Sequence, residues 1–246
     1  MLEDALPQLV KPATLKALLA ELVGTLFLTL AALLSGTPYA VALTLTAFVY
    51  AIGNVSGCHI NPAVTIGLVS ARRLPVTTGV GYVLAQIAGA LLARLAAPHV
   101  GLLAPNYPAA GPIAEFLGAG FLLLTVVAVS DQYVPKSGSG IAIGAALAAG
   151  LVTTKGILNP AVAIAMGQLA SGATWAAVLG SVVFTALFTL YARAETKDDA
   201  TKAEPAVGDQ AAEEHKEPPA ARARRQQGAA RRPVPPGLAW LRAGSR

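Results

Sequence analysis

Ser56-Gly57-Cys58-His59-Ile60-Asn61-Pro62-Ala63-Val64-Thr65 and, further along, Ile157-Leu158-Asn159-Pro160-Ala161-Val162 hold two copies of Asn-Pro-Ala-Val, each between a glycine-bearing loop and an apolar run. In each copy Pro stands where a helix begins, because its missing N–H is one of four that a helix start leaves unpaired. The preceding Asn is then the N-cap. A helix that begins in mid-membrane aims the positive end of its dipole, equivalent to roughly half a charge, at whatever lies ahead of it. Two such ends facing each other make a positive region at the bilayer midplane.

Outward from these copies the chain reads as a polytopic membrane protein. Of its 246 residues 54% are hydrophobic and 13% charged, with mean hydropathy +0.59, far from a soluble domain. Apolar runs able to cross a hydrocarbon core of about 30 Å lie at Thr14 to Leu34, Ala40 to Asn54, Thr77 to Ala97, Ile113 to Asp131, Ser139 to Val152 and Thr174 to Ala192. The segments Val64 to Ser70 and Val162 to Ala170 are too short to cross and read as re-entrant half-helices. Backbone that is not helical at such depth is tolerated only inside protein or along a wet cavity, so the two loops are expected to wall a pore. Small residues such as Gly81, Ala85, Ala88, Gly89 and Ala90 permit close helix approach.

The halves repeat. Ala20-Glu21-Leu22-Val23-Gly24 recurs as Ala114-Glu115-Phe116-Leu117-Gly118, and the offsets of the paired Glu and paired Asn are 94 and 98 residues. Three spans per half is an odd number, so the second copy (about 106–193) enters from the opposite side to the first (about 14–105) and the site falls near the midplane. Lys11, Lys16, Arg72, Arg73, Lys136 and Arg193 fall on one side, which is therefore expected to be cytoplasmic together with both chain ends; Lys155 and Arg94 are a weak counter-signal. No cleavable signal is read at the start. Cys58 stands alone, which excludes an intrachain disulfide.

Charge is uneven: residues 1–193 hold eight Lys or Arg and five Asp or Glu, and the remainder sit in a Pro, Ala and Arg-rich stretch. Residues 1–193 are expected to form one membrane domain and 194–246 a disordered cytoplasmic tail, whose Arg222, Arg224, Arg225, Arg231 and Arg232 can attract anionic lipid or remain merely solvated. No nucleic-acid partner is expected. No metal-ligand cluster, nucleophile with a base or phosphate loop occurs, so neither an enzyme nor a cofactor or metal is expected.

The duplicated Asn-Pro-Ala, the Ser56 to Thr65 stretch, the paired Glu21 and Glu115, and Tyr82 with Gln86, Gly89 and Ala90 together resemble the aquaporin (major intrinsic protein) family over residues 14–192. The resemblance implies an all-α membrane fold of six helices and two re-entrant half-helices, a homotetramer with one pore per subunit in the cell membrane, and passive flow of water, with small neutral solutes as further cargo. A channel mainly for glycerol, urea or ammonia, a secondary transporter and a closed-pore scaffold are the alternatives. Asn61, Pro62, Ala63, Asn159, Pro160 and Ala161 match the pore motifs, whose Asn amides donate to a passing oxygen. The carbonyls of Gly57, Cys58, His59, Lys155, Gly156 and Ile157 match an acceptor ladder, and Glu21 and Glu115 match carboxylates that hold the loops. Both Glu are expected to face inward in any case, since a lipid-facing carboxylate costs about 2.5–3.5 kcal/mol on insertion scales.

The outer filter departs from the family. Val162 occupies the place of the usual Arg, and the other filter positions fall at Val41, at Gly150 or Leu151, and at Gly156, so the usual aromatic and His are absent too. The filter is expected to be wider, apolar and uncharged. Ala163 stands where glycerol-favouring members carry Asp. Lys155 either restores a positive charge to the outer mouth or simply snorkels to water. Cys58 borders the pore, where a mercurial would block it, or fills space; His59 shapes the loop or senses pH.

Overall fold

The computed structural model describes the backbone of residues 12–101, 103 and 110–202, and side chains over 14–101, 103 and 110–192. Among these residues the order is α1 (Pro12–Ser35), α2 (Pro38–Ser56), α3 (Pro62–Ser70), α4 (Val76–Val100), α5 (Pro112–Ser130), a 3-10 turn (Lys136–Gly138), α6 (Ser139–Thr154), α7 (Pro160–Ala165) and α8 (Gly172–Lys202). No strand occurs among them. Six stretches are long and apolar enough to cross a membrane, with mean hydropathy from 1.4 to 2.2. At a rise of about 1.5 Å per residue α3 and α7 reach only about 14 and 9 Å, too short to span.

Proline starts α2, α3, α5 and α7, where its fixed φ suits a first turn and its missing N–H loses nothing. The Thr37 side chain accepts from Ala40 N at 3.3 Å, so α2 begins two residues before the expected Ala40 and spans 19 residues. The fifth span likewise reaches 19 residues once the 3-10 turn is added to α6. The second half-helix falls short of its expected end at Ala170. Gly167 takes φ +81, Gly167 N donates to Ile164 O and Gln168 N to Ala163 O, a left-handed cap that closes α7 after Ala165. The same pair of bonds closes α3, with Arg72 at φ +59 in the left-handed place. At the far end α8 runs nine residues past Arg193, through Ala, Glu and Lys that favour helix; the basic cluster of the expected tail lies outside the described residues.

Both repeats are built on one close approach. A Cβ on Gly89 would collide with the carbonyl of Leu22, which brings α4 onto α1, and a Cβ on Gly180 would collide with the carbonyl of Phe116, which brings α8 onto α5. Leu22 and Phe116 each follow the paired Glu. The half-helices cross between repeats: α3 packs on α4 and on α5, α7 packs on α4 and α1, and α3 and α7 touch each other. Around their junction lies the core, in which Ile60 and Leu158, the residues just before the two Asn, are fully buried with Leu122, Leu123 and Val127. Outward-facing Leu43, Leu84, Leu95, Ile113, Leu179 and Leu190 remain exposed, as a surface solvated by lipid requires.

Candidate channel pore

The two Asn-Pro-Ala segments meet through a reciprocal exchange. Asn61 Nδ2 donates to Leu158 O at 2.8 Å, and Asn159 Nδ2 donates to Ile60 O at 2.9 Å. Each Asn also caps its own half-helix, Asn61 Oδ1 accepting from Ala63 N at 2.9 Å and Asn159 Oδ1 from Ala161 N at 3.1 Å. An amide NH2 has two hydrogens. One is spent on the opposite loop, so the other is left to point elsewhere, and both Asn line a cavity of about 870 Å³. Pro62, Ala63, Pro160 and Ala161 are buried behind them as helix starts.

Each loop that leads into an Asn is held by its Glu. Glu21 Oε1 accepts from Ser56 Oγ (2.6 Å) and His59 N (2.9 Å), while Oε2 accepts from Ile60 N (2.6 Å) and Gln86 Nε2 (2.7 Å). In the second repeat Glu115 Oε1 accepts from Ile157 N (2.5 Å) and Oε2 from Leu158 N (2.8 Å). These bonds satisfy buried carboxylates that would otherwise be costly. They also keep the loops in an unusual shape: Cys58, Ile60, Lys155 and Leu158 all have positive φ, which side chains other than Gly and Asn adopt rarely. With the N–H groups of His59, Ile60, Ile157 and Leu158 turned to the Glu, the carbonyls of Gly57, Cys58, His59, Lys155, Gly156 and Ile157 belong to residues that line the cavity.

The restraint is uneven, and sequence reasoning missed its extent. Gln86 Nε2 bridges Glu21 and Thr65 Oγ1 (2.9 Å), Tyr82 Oη donates to Ser56 O (2.8 Å), and Thr65 Oγ1 donates to Asn61 O (3.1 Å). His59 Nδ1 lies 3.2 Å from Thr65 Oγ1. In the second copy Ala163 replaces Thr65 and Ile157 replaces His59. What remains there is Glu115 and Thr154, whose Oγ1 accepts from Gly156 N at 3.1 Å. A Gln in mid-span and a Thr after one motif but not the other were the available signals.

The stretch of the cavity next to Lys155 is largely apolar. Val41, Leu151, Ile157 and Val162 line it, together with Gly156. Of the two positions offered for the fifth span, Leu151 reaches the cavity. Gly150 lies against Leu158 and the Gly118 carbonyl instead, and is not part of the wall. Cys58 is buried and belongs to the same apolar cluster as Val64 and Leu68, although it also borders the cavity. At the opposite end Arg73 forms a two-pronged pair with Asp131, Nε to Oδ1 at 2.8 Å and Nη2 to Oδ2 at 2.6 Å, and its Nη1 donates to Thr189 Oγ1 at 2.9 Å. The hydrogen bond to Asp131 pushes the guanidinium still further above its usual range.

Comparison with known proteins agrees with this architecture. The family model of the major intrinsic protein matches residues 8–167. The chain is 39% identical over 137 residues to aquaporin AqpM of Methanothermobacter marburgensis, covering 48% of this chain and 55% of that protein, so it spans about half the length of that relative. To aquaporin Z of Rhodopseudomonas palustris it is 30% identical, covering 69% of this chain and 92% of that one. It is 33% identical to the glycerol uptake facilitator protein-like 6 of Lactiplantibacillus plantarum, covering 67% and 85%. Its fold is that of the aquaglyceroporin of Plasmodium falciparum, with a TM-score of 0.57 at 21% identity over 71% of this chain and 95% of that one. Duplicated Asn-Pro-Ala caps, paired Glu, six spans and a match over well more than half its length place this chain in the major intrinsic protein family, whose members are membrane channels and not enzymes.

Proposed function

We propose that this chain conducts water passively down osmotic gradients and also admits small uncharged solutes. The observation that carries the reading is the pair of Asn amides on one continuous cavity, each with a single N–H left after bonding the opposite loop. A water oxygen that accepts from both turns its own hydrogens away, toward the loop carbonyls on either side. The start of α3, with α7 reinforcing it, makes that point positive and disfavours hydronium. Neutral solutes join water because Val41, Leu151 and Val162 present a filter without charge. Relatives named as aquaporins and one named as a glycerol uptake facilitator-like protein are in keeping with both cargoes.

Ion-coupled transport is disfavoured because the acidic groups among the residues with described side chains are already occupied. Glu21 accepts four hydrogen bonds, Glu115 two, and Asp131 holds Arg73. In this reading residues 1–193 are the channel and 194–246 the tail, the pore roles of the lining residues are those expected above, and four copies associate through exposed apolar faces in the cell membrane. The ends of α3 and α5, with Arg72, Arg73 and Lys136, face the cytoplasm. Stopped-flow light scattering of proteoliposomes under a sucrose gradient tests the core of it. Shrinkage is expected several-fold faster than in empty vesicles, and equal rates, or saturable uptake that needs a sodium or proton gradient, would overturn it.

A further inference from the structure

Among the described residues that line the cavity, Lys136 and Lys155 alone carry a permanent charge, and neither Asp nor Glu is among them. They sit at opposite mouths. Lys155 shares its end of the cavity with Gly36, Thr37 and Pro38 of the turn between α1 and α2, and Lys136 shares the other with Gln132 and Pro135. Both are exposed, and among the described residues neither makes an ion pair.

The base of Lys155 is anchored. It caps α6 with φ +56, its N–H donates to Leu151 O at 3.1 Å, and the next residues are tied down by Thr154 and Glu115. Gly or Asn occupies such a left-handed position at less cost. A Lys there spends conformational energy to keep an ammonium at the rim of a filter that has no charge of its own.

We propose that Lys155, seconded by Lys136 at the other mouth, is the cation barrier of this pore. The proposal rests on the channel reading above. A cation entering past an unpaired ammonium is repelled over a range set by the Debye length, about 8 Å at physiological salt and about 3 Å at 1 M. Water and neutral solutes carry no net charge and feel no such repulsion. Cation rejection at the mouths is thereby added to the positive helix starts at the midplane, so that it does not depend on a charge at Val162.

The test compares sodium entry, read by a sodium-sensitive dye trapped in proteoliposomes, with osmotic water flux in the same vesicles. Lys155→Gln is expected to raise the sodium-to-water ratio about 5–10-fold, the size that one unit charge about 3–4 Å away produces at a dielectric near that of bulk water. Lys155→Arg should restore the low ratio, Lys155→Glu should raise it further, and Lys136→Gln should add to Lys155→Gln. In the unaltered chain, raising an impermeant, sodium-free salt on both sides from about 0.1 to about 1 M at a fixed sodium gradient, a range over which the Debye length shrinks from about 10 to about 3 Å, should itself increase the ratio, and this reads the charge without any substitution. If water flux exceeds that of empty vesicles but the ratio moves with neither Lys155→Gln nor salt, the lysine assignment is wrong and the channel reading stands. If water flux does not exceed that of empty vesicles, both fall.

Discussion

In the proposed pore Asn61 and Asn159 carry the polar chemistry with two hydrogens each, one of them committed to the other loop. Asp at either position removes both donors and sets a carboxylate against the helix starts. Asn159→Asp is therefore expected to lower water flux in stopped flow and raise proton leak in the same vesicles. The supporting carboxylates differ in how much depends on them. In Glu115→Gln one oxygen becomes an NH2 that faces a backbone N–H, and an unmade buried bond costs about 1–3 kcal/mol. Glu21→Gln faces four donors and should cost more. Thermal unfolding in detergent should rank them with Glu21→Gln below Glu115→Gln and both below the unaltered chain. Equal midpoints for all three would show that the loops do not depend on these groups. The inward Glu and the capping Asn were legible because a charge or an N-cap inside an apolar run has few places to go. Gln86 and Thr65 were not, since which polar group closes a network depends on helix rotation that spacing alone does not determine.

Helices α1 and α4 meet backbone to backbone at Gly89, and α5 and α8 meet in the same way at Gly180. Gly89→Val and Gly180→Val each drive carbon into a carbonyl, and overpacking of this kind costs about 1–3 kcal/mol or more. Each is expected to reduce the yield of monodisperse protein in size-exclusion chromatography. Gly172→Ala is the control, because a Cβ there meets nothing. The long elements could be read from apolar runs alone, since a bilayer admits few other structures. Their ends could not. Thr37 extends α2, a 3-10 turn extends the fifth span, and the Gly167 cap stops α7 five residues early, all through local hydrogen bonds that hydropathy does not register.

Across the whole channel domain the repeat is symmetric in its frame and asymmetric in its polarity. Paired Glu, paired Asn, paired glycine contacts and paired left-handed caps recur; the Glu and Asn pairs were visible as internal repetition in the chain, while the glycine contacts and the caps needed the fold. The first loop is held by Ser56, Thr65, Tyr82 and Gln86 in addition to its Glu; the second has Glu115 and Thr154, and an apolar filter behind them. In the proposed function selectivity is accordingly assigned to the apolar wall of Val41, Leu151 and Val162. The choice between Gly150 and Leu151 needed the fold, because one residue turns a helix by about 100° and decides which face meets the pore. The most direct measurement is the glycerol-to-water permeability ratio of the unaltered chain and of Val162→Arg, by stopped flow on matched proteoliposomes. A filter without charge should let the unaltered chain pass glycerol, and the Val162→Arg substitution should cut glycerol flux several-fold more than water flux. Equal loss of both, or an unaltered chain that already excludes glycerol, would contradict the account.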